Sequence, residues 1–507
     1  MTRPTPVTPV DARPGGVTDH LAGRRVEVDD ALRRRLADVC AVVTDDAERA
    51  EAGRDWWPLA IGWATRGEVP SRPAVIVRPT DTAQVAGVLA ACHRAGVPVT
   101  PAGGRSGVCG ASVPVFGGVA LDVCGLEGVV DVDVPSLVAD VRAGTFGPDL
   151  ESALQGGWGV TLGHWPQSMD LSTVGGWLAC RGAGQYSNRY GKIEDMVLGL
   201  EVVLADGTVI HTGGHGPRSA TGPDLTQLFV GSEGTLGVIT EGRFRVHPVP
   251  AGSGRRAFGF PSFADGLEAC RRILRRGATP AVLRLYDAVE SGRSFEHPET
   301  NVLIVLDEAD PALVTATLAV VDEEARDAVR LDDELVERWL GHRNDVSALA
   351  PLWRGGVVVD TVEIAARWAA LPGLYRSVVD TLGSVDGTLV ASSHQSHAYT
   401  DGACLYFTFA GRPPDDAGGA DRDAWAEEYY VTAWDAVTAA TRAAGGAISH
   451  HHGIGLNRSR FLPDALGDAF GVLAAVKAAL DPAGILNPGK LGLDSPFGPP
   501  PWPGAVR

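Results

Sequence analysis

Two rhythms of hydrophobic positions alternate along the chain. Short apolar or alternating runs predict strands at 74–77, 97–100, 121–142 and 200–212, then at 257–260, 281–286, 301–308 and 403–410. Apolar residues three and four apart predict helices between them. Leu32, Leu36, Val39 and Val43 form one such stripe over 29–54. Val85, Val88, Leu89 and Cys92 form another, behind an Asp81 cap with Gln84 as its capping-box partner, and Gly96 ends it. Leu267, Cys270, Ile273 and Leu274 form a third between a Ser262 cap and Gly277. Further helices are expected at 146–155, from 311, up to Gly445, and up to Leu480. Asp206-Gly207 between two apolar runs predicts a hairpin with a type I′ turn. Residues 231–237 and the run after them read as further strands, while 339–360 fit neither rhythm.

Alternation also assigns faces. Arg284 and Tyr286 lie opposite Leu283 and Leu285, and Cys404, Tyr406 and Thr408 lie opposite Leu405, Phe407 and Phe409. The stretch 163–239 interrupts both rhythms with dense glycine and small residues. Ordering glycine is costly, so such a stretch suits a place where a phosphate or flat ring approaches the backbone. The glycine loop 101–107 leaves a strand and offers several backbone N–H groups to an anion. No Gly-Lys-Ser/Thr follows it and it does not open a helix, so it is neither a P-loop nor a dinucleotide fingerprint. Taken alone it also fits a tight turn.

The 507 residues exceed one compact core. The expected division is a lead and helical segment (1–69), a first domain (70–250), a second (251–445) and a C-terminal segment (446–507) that returns to the first. A net charge of −18 and the lack of a long basic run exclude a nucleic-acid surface. The seven cysteines are scattered without a CxxC pair, as in a reducing cytosol. Residues 1–20 read as a disordered lead without the apolar core of a secretory signal, and no window spans a bilayer. A cytoplasmic protein is expected; peripheral membrane contact and a homodimer stay open. The three tryptophans of 55–63 suit core packing or a pocket wall.

The ordered set PAGGRSG, GHWPQSMDLSTVGGW, YGKIEDMVLGLEVV, TGPDLTQLFVGSEGTLGVITE, LRLYD, DGACLYF, SHHHGIG and ILNPGK spans about residues 70–491. It resembles the vanillyl-alcohol-oxidase (PCMH-type) FAD superfamily, and within it the alkyldihydroxyacetonephosphate synthase (alkylglycerone-phosphate synthase) family. The resemblance implies an α+β fold: two subdomains clasping FAD, plus an α+β cap domain over the substrate. It implies FAD contacts at Pro101, Ala102, Gly103, Gly104, Arg105, Ser106 and Gly107, and at Gln167, Ser168, Met169, Asp170, Leu171, Ser172 and Thr173. Cys180, Arg181, Gly182 and Ala183 extend that set, as do Glu233, Gly234, Thr235, Leu236, Gly237, Val238 and Ile239. Arg105 departs from the family's usual small residue. No histidine stands where related oxidases attach flavin, so non-covalent FAD is expected.

For chemistry the resemblance marks Arg284, Tyr406, His450, His451 and His452, with Arg343 as a substrate anchor. It implies exchange of the acyl chain of acyl-dihydroxyacetone phosphate for a fatty alcohol, through a flavin N5 adduct and without net redox. Adjacent residues of a strand face opposite ways, so the three histidines are not expected to share a metal. One rival is an FAD-dependent D-2-hydroxyacid (D-lactate or glycolate) dehydrogenase or oxidase, which the segment GILNPGKL resembles. Its metal-using members carry H-x-G-D-G-N-x-H and E-H-G, and here two of those three ligands are replaced, around 404–406 and at His451. A second rival is an inactive flavin- or lipid-binding protein. The segments VVVDTVEIAARW and NPGKL also depart from the synthase pattern.

Overall fold

The computed structural model describes residues 16, 18, 20–21, 24–214, 216–415, 418–499 and 502; most of the expected N-terminal lead lies outside them. Three sheets account for the architecture. The first holds β1 (Ala41–Val43), β2 (Val75–Arg78), β3 (Val99–Ala102) and β4 (Val119–Asp122) in the order β1-β2-β4-β3. β2, β4 and β3 run parallel, and helix Thr82–Ala95 connects β2 to β3. Asp81 accepts the Gln84 N–H at 2.8 Å, and Gly96 ends the helix at φ 62°. Gln84 reaches back to the Thr80 N–H rather than to that of Asp81.

Here the single helix expected at 29–54 is corrected. Helix Asp30–Ala37 stops, β1 pairs antiparallel with β2, and helix Asp46–Glu51 follows from an Asp45 cap. The apolar run Ala41-Val42-Val43 completes a sheet edge, and that tertiary pairing overrides the helical spacing.

The second sheet contains β5 (Val129–Asp133), β6 (Val138–Arg142), β8 (Val197–Val203), β9 (Val209–Gly213) and β10 (Val238–Arg245), ordered β5-β6-β10-β8-β9 and antiparallel throughout. β7 (Val160–Thr161) pairs separately with β11 (His247–Pro248). In the 200–212 hairpin Val203 faces Val209 and the Leu204 N–H donates to Thr208 C=O at 2.9 Å, so residues 205–207 make a three-residue turn instead of a two-residue type I′ turn. Of Asp206 and Gly207, only Gly207 takes a positive φ. Residues 231–237 form turns, not a strand.

The third sheet is antiparallel. Its strands are β12 (Gly252–Phe260), β13 (Val282–Tyr286), β14 (Asn301–Ala309), β15 (Val329–Leu331), β16 (Val358–Arg367), β17 (Thr388–Ala398) and β18 (Gly402–Gly411), ordered β15-β12-β14-β13-β17-β18-β16. Leu283, Leu285, Phe407 and Phe409 join the main core with helices Phe263–Arg275 and Leu371–Gly383. The unassigned stretch 339–360 holds the end of helix Glu334–His342, helix Leu349–Arg354 and the start of β16. Near the C-terminus the chain returns to the first sheet: Val99 N–H donates to Ile485 C=O at 2.8 Å, and Asn487 N–H to Val99 C=O at 2.8 Å. Among the described residues no helix is long and apolar enough to cross a membrane.

Candidate active site

A cavity of about 1130 Å³ lies where the three sheets meet. The end of β3 and the loop after it supply Pro101, Ala102, Gly103, Gly104, Arg105, Ser106 and Gly107 to its wall. Gln167, Ser168, Leu171, Ser172, Thr173, Cys180, Gly182 and Ala183 line it from the second segment, and Glu233, Gly234, Gly237, Val238 and Ile239 from the third. Five of the residues named from the resemblance stand elsewhere. Met169 is buried against Gly147, Asp170 is exposed, and Leu236 belongs to the core of the second sheet. Arg181 is exposed beside Glu194, and the Thr235 carbonyl accepts from Lys477. In an irregular loop some residues turn away from the cavity, and sequence spacing does not say which.

The glycines of this wall are forced by close approach. A Cβ on Gly103 would lie 2.3 Å from Thr173 Oγ1, and one on Gly104 would lie 1.9 Å from the Leu171 carbonyl oxygen. The loop after β3 therefore packs against residues 171–173 too closely for a side chain at either glycine. Such a wall fits the pyrophosphate and ring of a bound FAD. At one end the wall is apolar: Trp56, Val108, Leu171, Val346 and Leu349 line the cavity and form part of one cluster.

The third sheet presents a row of side chains to the same space. Its register sets Glu363 opposite Tyr406, Tyr406 opposite His394, and His394 opposite Tyr286, so four neighbouring strands contribute one residue each. The His394 ring stacks between Tyr286 (5.1 Å) and Tyr406 (4.9 Å). Arg284 Nη2 donates to His394 Nε2 at 2.6 Å, which makes Nδ1 the protonated nitrogen, and it donates to Glu290 Oε2 at 2.7 Å. Burial raises the Glu290 carboxyl, but His394 and Arg293 outweigh it and hold the group at about 2. Arg343 lies 4.9 Å over the Tyr186 ring and 5.6 Å over that of Trp339, and donates to Gln185 at 3.3 Å.

The histidine loop is held by carboxylates on both sides. Glu363 Oε1 accepts from the N–H groups of His450 (3.2 Å), His451 (3.1 Å) and His452 (2.7 Å), and from Ser449 Oγ (2.7 Å). Arg458, fully buried, donates to both Glu363 oxygens. Burial pushes Glu363 upward, yet Arg458 and the histidines overcome it and keep the carboxyl well below the usual range. From the other side Glu233 accepts from Ile454 N–H (2.6 Å) and Gly455 N–H (2.8 Å), so its carboxylate serves the loop.

His452 Nε2 lies 3.3 Å from the Tyr406 hydroxyl, which also accepts from Thr361 Oγ1 at 3.1 Å. His452 Nδ1 is 3.3 Å from Glu363 Oε2. That is near enough for charge, but the angle misses a hydrogen bond. Burial lowers His452, Glu363 partly opposes that, and the imidazole stays neutral near pH 7. Burial raises Tyr406, so its phenol stays protonated and donates.

His451 and His452 line the cavity, whereas His450 sits behind them between His397 and Tyr399. His397, His450 and His451 bring ligand-type nitrogens within 4.8 Å of one another. Convergence thus comes from a histidine of β17 joining two of the triplet. His450 is already engaged at both nitrogens, by His451 Nδ1 at 2.9 Å and by the Tyr399 hydroxyl at 2.9 Å.

Residues 73–213 match the FAD binding domain model, and residues 255–491 match that of the FAD linked oxidases, C-terminal domain. An uncharacterised FAD-linked oxidoreductase of Escherichia coli K12, YgcU, is 32% identical over 83% of this chain and 89% of its own. The alkyldihydroxyacetonephosphate synthase of Dictyostelium discoideum is 30% identical over 84% of this chain and 74% of its own. Glycolate oxidase subunit GlcD of Bacillus subtilis is 26% identical over 88% and 94%. A solved alkyldihydroxyacetonephosphate synthase superposes with a TM-score of 0.77 at 26% identity, over 95% of this chain and 89% of that one.

Proposed function

The chain belongs to the FAD-linked oxidase family with a PCMH-type FAD-binding domain, and from that premise we propose an alkylglycerone-phosphate-synthase-like exchange. A fatty carboxylate leaves acyl-dihydroxyacetone phosphate as its C–O bond to the dihydroxyacetone carbon breaks. The oxygen of a fatty alcohol forms the new C–O bond, so no net oxidation occurs. The carrying observation is that one cavity joins a polar wall of Arg284, Tyr406 and His452 to the apolar wall of Trp56, Val108, Leu171, Val346 and Leu349. An amphiphile needs both.

The three glycine-bearing segments would hold FAD non-covalently, and the bound cofactor would supply an electron-accepting ring. The remaining roles belong to side chains of this chain. Neutral His452 takes a proton from the substrate carbon and passes it to the departing carboxylate, then takes the alcohol's proton as the new C–O bond forms and returns it to that carbon, so that the protons balance. Tyr406 donates its hydroxyl hydrogen to His452 Nε2 in the resting state and offers it to substrate oxygen when His452 is protonated. Arg284, oriented by His394 and Glu290, and Arg343, framed by aromatic rings, bind the substrate phosphate.

A second reading, oxidation of a D-2-hydroxy acid, is favoured by the approach of His397, His450 and His451 to one another. Anaerobic mixing separates the two. Ether product from acyl-dihydroxyacetone phosphate and fatty alcohol without an electron acceptor supports the synthase. Lasting flavin bleaching by D-lactate, D-2-hydroxyglutarate or glycolate overturns it.

A further inference from the structure

Five arginines line the cavity, and four have partners. Arg284 binds His394, Arg293 faces Glu290 at 3.4 Å, Arg338 faces Glu296 at 3.5 Å, and Arg343 meets Gln185 and three aromatic rings. Arg105 differs. It is 7% exposed, and neither its Nε nor its Nη2 has a hydrogen-bond partner among the described residues. Its backbone also takes φ 55°, a left-handed conformation in which glycine would rest without strain. Backbone geometry thus argues against arginine here, and so does the burial of an unpaired cation. The residue makes sense only if the guanidinium meets an anion that the protein itself does not provide.

We infer that Arg105 is a phosphate anchor, its planar fork taking phosphate oxygens in the cavity beside the glycine loop. Guanidinium donors match phosphate in a bidentate way, and flanking backbone N–H groups add to the attraction. Two sources share this chemistry, the pyrophosphate of FAD and the phosphate monoester of the substrate. The inference rests on the proposed placement of FAD, and its substrate arm rests on the proposed synthase reading.

Full-length wild type, R105Q and R105G are stripped of flavin and titrated with FAD and riboflavin by fluorescence quenching. The reloaded proteins are then titrated with dihydroxyacetone phosphate and with dihydroxyacetone, following the flavin spectrum. FAD affinity weaker by on the order of 10- to 100-fold, with riboflavin unchanged, assigns Arg105 to the pyrophosphate. Unchanged FAD affinity with loss of the dihydroxyacetone phosphate response assigns it to substrate. In both cases the flavin-free variants melt no lower than wild type, and R105G melts higher, since an unpaired charge and a strained φ have gone. No change in either titration, or flavin-free variants that melt below wild type, overturns the inference. Binding of FAD by wild type tests the cofactor placement separately.

Discussion

Replacing Glu363 by Gln should unfasten the histidine loop from the third sheet. The carboxylate is fully buried and accepts from three consecutive backbone N–H groups, Ser449 and Arg458. An amide keeps one acceptor oxygen for the N–H groups but strands the Arg458 cation, which is itself fully buried. Breaking one side of a buried pair costs about 3–5 kcal/mol. For cooperative units of roughly 240 to 500 residues that corresponds to a Tm lower by about 3–10 °C. E363Q/R458M removes the stranded charge while keeping the amide acceptor, so it should recover more than half of the loss. Scanning calorimetry and urea unfolding followed by circular dichroism measure both variants. The reasoning fails if E363Q stays within about 1 kcal/mol of wild type, or if the double variant is no more stable than the single one.

The histidine also sets a pH profile. Since burial lowers His452, the acid limb of kcat/KM should lie below pH 6.5. E363Q should move any residual limb lower still, because Glu363 favours the protonated imidazole; a limb at or above 6.5 contradicts this. His394→Ala removes the acceptor for Arg284 and the ring between two tyrosines, so kcat/KM should fall by about 10- to 100-fold while His394→Asn retains more. A KM effect without a kcat effect would place Arg284 in binding alone. For the synthase reading, dialysis against a chelator should leave activity unchanged. One equivalent of a transition metal in purified protein, measured by elemental mass spectrometry and lost together with activity, would transfer weight to the hydroxy-acid reading.

Local chemistry was legible in the sequence wherever a single element decides it. The Asp81 and Ser262 caps, the Gly96 stop and the two faces of β13 and β18 all follow from spacing within one helix or strand. The parts that organise the candidate site are contacts between distant segments. Glu363 meets Arg458 across 95 residues, and Arg284 meets His394 across 110. The row Glu363–Tyr406–His394–Tyr286 depends on strand register, which alternation alone does not supply. One signal was present. Asp360 and Glu363 interrupt a mostly apolar strand, and acids in that setting imply buried partners. The segment that departs from the synthase pattern, VVVDTVEIAARW, is thus the one that carries the loop's main acceptor.

That acceptor has a counterpart, and the pair explains how the histidine loop is fixed between two walls of the cavity. Glu233 belongs to the segment that follows β9 and lines the cavity, whereas Glu363 belongs to β16 of the cap sheet. Between them they bind N–H groups of residues 450–452 and 454–455, and the chain turns at Gly453 (φ 80°) and Gly455 (φ 53°). A Cβ at Gly453 would sit 2.4 Å from Glu233 Oε1, so the loop cannot retreat from that carboxylate without losing both of its contacts. The short loop therefore ties the glycine-rich wall of the cavity to the third sheet at the point where His452 meets Tyr406. Gly453→Ala, a change of one methyl group, should displace His452 from Tyr406 and lower kcat well before it unfolds the protein. A variant with wild-type kcat and wild-type melting would show that the loop tolerates movement and that the two carboxylates do not set its position.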